Sequence, residues 1–237
     1  MASSSAPDEP RGAIVAVIPA HNEGLRIGAV VREATRHLGV IVVDDGSTDG
    51  TAAAAREAGA SVIEQRPNQG KGAALRTGFR RALAEGATGI VTLDGDGQHD
   101  PAEIPRFLAA NAASGDRPDL IIGRRDFRRM PPSRRLANEL GRLAFSWAVG
   151  RGIPDNQSGF RLISRHLAAA TLASDEAGFE FEVELITTCI RRRGRIAWVP
   201  IMTIYAGETS HIRPIHHFVH FLRICLRARR AVRDERG

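Results

Sequence analysis

The stretch Asp94-Gly95-Asp96-Gly97-Gln98 sets two carboxylates and an amide on alternate residues with glycine between them. Alternate residues at a strand end project to one side, so Asp94 and Asp96 can aim at one point with Gln98 nearby. The glycines allow a ligand to come close to the backbone. Two carboxylates held together need a counter-charge, and hard oxygen donors suit Mg²⁺ or Mn²⁺. So few protein ligands leave room for a diphosphate to complete the coordination sphere. An EF-hand is excluded, because position twelve of such a loop is Pro105 and not glutamate. His99 follows as a ligand or as a supporting loop residue. The plain alternative is an Asx turn in a surface loop.

A second chemical signal is Lys71, the only lysine in the chain; the other 32 of the 33 basic residues are arginines. It lies between Gly70 and Gly72 in NQGKGAALRTG, ahead of a helical pattern. A glycine-flanked helix N-terminus offers backbone N–H groups to an anion. The spacing is not that of a Walker A loop. Lys71 is expected either to contact a diphosphate or to brace Asp44 and Asp45 at the edge of the site.

These residues need a frame. Short apolar runs at Ile14–Ile18, Val40–Val43, Ala60–Glu64, Ile90–Leu93 and Leu120–Ile122 read as strands. Helical patterns alternate with them over Leu25–His37, from Ser47-Thr48-Asp49 through Ala58, over Gly72–Leu83 and over Pro101–Ala112. Continuous Ile/Val/Leu strands alternating with helices predict an α/β domain, a mainly parallel sheet covered on both faces. Ligands bind such sheets at the carboxyl ends of the strands. There the chain places PAHNE (19–23), DDGSTDGT (44–51), RPNQGKG (66–72), DGDGQHDP (94–101) and GRRD (123–126). Any one of these is ordinary turn chemistry; five on one edge make a site.

Composition narrows the class. At 237 residues and 43% hydrophobic, the chain can bury one large core. Cys189 and Cys225 are too few and too unpatterned for a disulfide framework or a zinc site, and each sits in an apolar helical context. Residues 1–12 read as a disordered lead-in rather than a signal peptide. No run approaches the ~18 apolar residues of a membrane span. The net charge of +6 is concentrated: Arg124 to Arg142 holds seven arginines against two acids, and Arg223 to Arg236 is a second basic run. With aromatics at 5% and no base-reading motif, nucleic acid is not an expected partner.

Taken in order, VIPAHNE, VVDDGSTDGT, NQGKGAALRTG, LDGDGQHDP, IIGRRD and QSGFRLIS resemble a family 2 glycosyltransferase of the GT-A fold. Among these the chain is most similar to the polyprenyl- and dolichyl-phosphate mannose and glucose transferases. The resemblance spans about Ile14 to Arg213 and implies a Rossmann-like, mainly parallel sheet. It implies that Pro19, His21 and Glu23 touch the nucleotide, with Val43 and Asp45 at the base. His21 stands where many relatives have tyrosine. It gives Asp94, Gly95, Asp96 and Gln98 to the metal and diphosphate and Arg124 to the phosphates. Relatives with an Arg and a Lys near a GESK segment find YAGETSHIRP here, which leaves His211 or Arg213 for that role.

The chemistry implied is inverting, metal-dependent hexosyl transfer from a GDP-mannose or UDP-glucose type of donor, with Mg²⁺ or Mn²⁺ at Asp94 and Asp96. A polyprenyl-phosphate acceptor is already anionic and needs no general base; Arg124, Arg134, Arg135 and Arg213 are the candidates to bind it, since a guanidinium meets phosphate bidentately. A hydroxyl acceptor would need a base, for which Asp155 and Glu182 are the candidates. Their plain readings are a loop cap and a solvated helix residue. A nucleotidyltransferase fits DGDGQH and QSGFR poorly. A non-catalytic nucleotide-sugar or membrane-surface binding protein would not need the whole set Asp94, Asp96 and Arg124.

In Met130–Gly150, Leu136, Leu140, Leu143, Ala144 and Trp147 recur at helical spacing beside arginines. This stripe fits either a membrane–water interface or an ordinary core-facing helix. The tail repeats the pattern with Phe218, Phe221, Leu222 and Cys225 opposite arginines, and basic residues near anionic lipid contribute about 1 kcal/mol each. The expected organisation is a lead-in over 1–12, a GT-A domain over 13–213 and a basic amphipathic C-terminal helix over 214–237. The expected location is cytoplasmic, peripheral at the inner face of an anionic membrane.

Overall fold

The structure is a computed structural model; it describes residues 12–113, 115, 117–127, 132–178, 180–202 and 214–233, with the backbone alone at 132–134, 137, 214–220 and 222. The lead-in 1–11 and the segment 203–213, with His211 and Arg213, lie outside the described residues.

The five strands expected from the apolar runs form, as β1 (Ile14–Ala20), β2 (Gly39–Asp45), β3 (Ser61–Gln65), β4 (Gly89–Thr92) and β5 (Leu120–Arg125). Two more complete the sheet, β6 (Arg161–Ser164) and β7 (Ile196–Ile201), in the order β3-β2-β1-β4-β6-β5-β7. Strand β6 is antiparallel to both β4 and β5, and every other pairing is parallel. Two antiparallel steps restore the direction, so β1 to β5 and β7 all end on one edge. Because β6 runs backwards, that edge receives the chain entering it, and the loop of residues 155–160 joins the other five.

Side-chain alternation divides the core in two. Val17, Ile41, Val43, Ile90, Leu120 and Ile122 face one layer. That layer is built by α3 (Lys71–Ala84), α5 (Pro132–Val149), α6 (Arg165–Ala170), α7 (Glu180–Arg191) and α8 (Pro214–Arg233). Ala16, Ile18, Val40, Val42, Val91 and Ile121 face the other, built by α1 (Ile27–Ala34), α2 (Thr51–Glu57) and α4 (Ile104–Ala112). Both thiols sit in the first layer, and burial pushes the Cys189 thiol up to about 12 and the Cys225 thiol up to about 11. They are packing residues.

Helix α5 departs from the simpler of its two sequence readings. Gly141, Phe145, Ala148 and Val149 face inward, while Leu136, Leu140, Leu143 and Trp147 are each half or more exposed. Arg229 of α8 lies over the Trp147 ring at 4.0 Å and donates to the Trp147 carbonyl, so the two helices are coupled at this surface.

Candidate active site

Two loops make one rim of the edge. After β1, the backbone N–H of Asn22 donates to the Ser47 hydroxyl (2.9 Å), that of Glu23 to the Thr51 hydroxyl (2.8 Å) and that of Gly24 to Asp49 (3.0 Å). The Thr48 N–H donates to Asn22 Oδ1, which turns the amide nitrogen of Asn22 toward His21 Nε2. His21 Nδ1 lies 2.8 Å from the Asp45 carbonyl and Nε2 lies 3.1 Å from the Asn22 amide nitrogen, so the ring bridges the two loops. His21 and Asn22 are exposed and Glu23 is half-buried beside Arg26, whereas Pro19 is buried at the end of β1.

Val43 and Asp45 do not present free side chains. Val43 is wholly buried in the core, so its side chain cannot touch a base. The Asp45 carboxylate accepts from the Gln65 amide (2.6 Å) and from the backbone N–H groups of Gln69 (2.8 Å) and Gly70 (2.7 Å). It ties the loop before α3 to the end of β2.

The start of α3 also differs from expectation. The Gly72 and Ala73 N–H groups donate to the Ala177 carbonyl, so these donors are taken by the chain itself. A Cβ on Gly72 would lie within 2.6–2.8 Å of the Glu176 and Gly178 carbonyls and Phe181, and only glycine lets the loop ahead of α7 pack this closely. Arg76 reinforces the contact by donating to the Glu176 carbonyl.

Lys71 does not brace Asp44 and Asp45. Its ammonium lies 2.5 Å from Asp94 Oδ1 and 2.8 Å from Glu182 Oε1. Glu182, far from being a solvated helix residue, is 5% exposed. A Cβ on Gly159 would come within 2.8–3.0 Å of both Asp94 oxygens and Glu182 Oε1, so this glycine makes room for the two carboxylates. Burial works against the charged Lys71, but Asp94 and Glu182 outweigh it and raise its pKa above the usual range. Burial likewise opposes the charged Asp94, yet Lys71, His99 and Arg125 hold its carboxyl below the usual range.

The remaining polar residues support this pair. His99 is buried, its ring 5.6 Å from that of Phe160, and burial lowers its pKa. Asp96 is half-buried, and its Oδ1 accepts from the Gln98 N–H at 2.9 Å in the turn that Gly97 makes at φ +76°. The chain leaves the strand at Thr92, so Asp94 and Asp96 belong to a turn rather than to an extended end. Among the described residues no three His, Cys, Asp or Glu side chains form a metal cage.

Of the two arginines ending β5, Arg124 is exposed on the edge. Arg125, which sequence reasoning passed over, meets Asp155 through Nε (2.8 Å) and Nη2 (2.9 Å). Asp155 is wholly buried, and both it and Arg125 belong to the supporting structure. Arg161 is also wholly buried; it donates to the carbonyls of Ser158, Asn156 and Glu182, fixing the 155–160 loop to α7. Arg135 is exposed on α5, and the side chain of Arg134 lies outside the described residues.

A sheet with one reversed strand, carrying acidic and glycine-rich loops on the edge where the parallel strands end, is the arrangement expected of the GT-A fold. The sequence profile described as glycosyl transferase family 2 matches residues 15–170, and the chain belongs to that family. It is 32% identical over 207 residues to undecaprenyl-phosphate mannosyltransferase of Micrococcus luteus, covering 79% of this chain and 82% of the relative. It is 30% identical over 238 residues to the UDP-N-acetylglucosamine–dolichyl-phosphate N-acetylglucosaminyltransferase of Methanococcus voltae (88% and 92%). In fold it is similar to glucosyl-3-phosphoglycerate synthase of Mycobacterium tuberculosis, solved with Mn²⁺, UDP and glucosyl-3-phosphoglycerate. That similarity has a TM-score of 0.69 at 24% identity and covers 92% of this chain and 78% of that one.

Proposed function

We propose that this enzyme moves a hexose, with inversion, from a nucleotide-sugar donor to a polyprenyl phosphate. The observation that carries the acceptor assignment is the state of the two candidate bases. Asp155 is wholly buried in a two-bonded pair with Arg125, and Glu182 is bound to Lys71. A hydroxyl nucleophile must lose a proton to a base within reach. A phosphate monoester arrives already anionic, so a site whose carboxylates are committed elsewhere suits it. The relatives named for undecaprenyl and dolichyl phosphate support the same reading.

The nucleotide lies along the rim made by residues 19–24 and 44–51, with its diphosphate toward residues 94–98. The donor set there fits a divalent ion of the Mg²⁺ or Mn²⁺ class. Asp94, Asp96 and Gln98 offer only oxygen side-chain ligands on one turn, and they are too few to enclose an ion without a diphosphate. Such an ion, when bound, offsets negative charge developing on the leaving diphosphate. The protein's own contribution is fixed charge. Lys71 stands beside Asp94, and Arg124 is exposed on the same edge for the acceptor phosphate, with Arg135 nearer the outer surface of α5. Preorganised charge of this kind costs no reorganisation during the reaction.

The acceptor's lipid chain calls for a hydrophobic approach. The exposed stripe Leu136, Leu140, Leu143 and Trp147 supplies one, with exposed Arg135 on the same helix and Arg229 of α8 over the Trp147 ring. This combination favours peripheral attachment to an anionic bilayer. No helix among the described residues is long and apolar enough to cross a membrane.

A panel of UDP- and GDP-sugars titrated calorimetrically with Mg²⁺ or Mn²⁺ tests the donor half of the reading. One donor class is expected to bind in a metal-dependent manner, and Asp96→Ala is expected to lower turnover of that donor by roughly 100-fold or more. Metal-independent binding, or near-normal turnover by Asp96→Ala, would remove the metal from the account.

A further inference from the structure

Lys71 occupies an unfavourable position for a cation. It is the first residue of α3, where the helix dipole favours negative charge. It is also largely shielded from water, with 16% of its side chain exposed. Moving an ammonium and two carboxylates out of water costs several kcal/mol per ion, and apolar side chains of similar size often serve stability as well or better. A purely structural link between α3 and α7 would therefore have no need of three charges.

The surroundings are shaped to keep them together. Gly159 leaves space for the carboxylates of Asp94 and Glu182, which a methyl group would fill. The Ala177 carbonyl takes the first N–H groups of α3 and so fixes the start of α7 against it. Arg161, itself wholly buried, donates to the Glu182 carbonyl and holds that residue's backbone. Glu182 is more buried than Asp94 (6% against 24% of the side chain exposed), so the ammonium is held between an inner carboxylate and one on the turn after β4.

From this geometry we infer that Glu182 is a positioning residue, acting through Lys71: it holds the ammonium at the donor turn, where the cation meets the diphosphate of the nucleotide. The inference deepens the proposed function and rests on its donor half alone. Without the second carboxylate, Lys71 and Asp94 close into a simple pair that neutralises both, and neither is left to engage the diphosphate. Glu182 thus shares the lysine, which leaves Asp94 partly available and the ammonium fixed in direction.

The test is the affinity of UDP and GDP for the full chain with Mn²⁺, measured calorimetrically without acceptor, for wild type, Glu182→Gln, Lys71→Met, the double variant and Glu182→Asp. Each of Glu182→Gln and Lys71→Met is expected to weaken the preferred nucleotide by roughly 10-fold, the scale of one charge-assisted contact. The double variant is expected to be no weaker than Lys71→Met, since the two residues act as one unit. Glu182→Asp, which keeps the charge, is expected to fall between wild type and Glu182→Gln. Thermal unfolding of each variant accompanies the titrations, which are run well below the lowest midpoint. Wild-type affinity in folded Glu182→Gln, or losses that multiply in the double variant, would overturn the inference. If Glu182→Gln does not fold, Glu182→Asp and Lys71→Met decide, and wild-type affinity in Lys71→Met overturns it. If the donor reading is wrong, wild type itself binds neither UDP nor GDP, whereas failure of the inference leaves wild-type binding intact and Glu182→Gln equal to it, so the two failures are distinguishable.

Discussion

Asp155 and Arg125 show how single residues divide between chemistry and support. The pair sits under the edge of the sheet with Asp155 wholly buried, and its two hydrogen bonds align β5 with the loop entering β6. Asp155→Asn keeps the shape but removes the negative member of a largely buried ion pair, a change that typically costs about 3–5 kcal/mol. Urea unfolding is expected to show a loss of that order, and a loss below about 1 kcal/mol would mean that the pair is not what aligns the loop. The sequence Gly123-Arg124-Arg125-Asp126 offers two adjacent arginines, and along a strand neighbours point to opposite faces. Local sequence does not say which face holds an acid 30 residues away. Arg124 stood out through the family resemblance, which gives it to the phosphates, while Arg125 became visible only with the fold. Lys71 was legible as unusual, but its partner Glu182 lies on α7, and no spacing rule connects them.

Among the elements, α5 carries apolar residues on two faces, and this explains why its pattern supported two readings. Gly141, Phe145 and Ala148 pack inward, leaving the larger leucines and Trp147 outside. Exposing four large apolar side chains in one stripe is unusual for a surface without a partner. Replacing Leu140 and Leu143 together by glutamate is expected to weaken binding to phosphatidylcholine–phosphatidylglycerol vesicles by more than about 10-fold, since burying each leucine in an apolar phase is worth about 1.5–3 kcal/mol. Sedimentation with vesicles measures this, and unchanged binding would show that α5 does not touch lipid. The two strands that sequence reading passed over have local explanations as well. Strand β6 has only four residues and begins with an arginine, Arg161, whose burial depends on carbonyls from elsewhere. Strand β7 contains Pro200, which reads as a strand breaker but is tolerated because β7 is the edge of the sheet.

Across the whole molecule, the alternation of strands and helices was readable because continuous apolar runs separated by amphipathic ones leave few other architectures. The reversal of β6 was not readable, and it brings Gly159 and the loop of Asp155 to the donor turn. The resulting edge has an acidic turn, a lysine shared by two carboxylates beside it, and an exposed Arg124, which the proposed function gives to the donor diphosphate and the acceptor phosphate. In the proposed reaction the nucleophile arrives charged, because both candidate bases are committed to ion pairs. The most direct measurement incubates the enzyme with labelled donor, Mn²⁺ and either a polyprenyl phosphate or the matching polyprenol, then counts label in the organic phase. The account predicts transfer to the phosphate and none above background to the alcohol; equal transfer to the alcohol, or transfer only to a water-soluble hydroxyl acceptor, would contradict it.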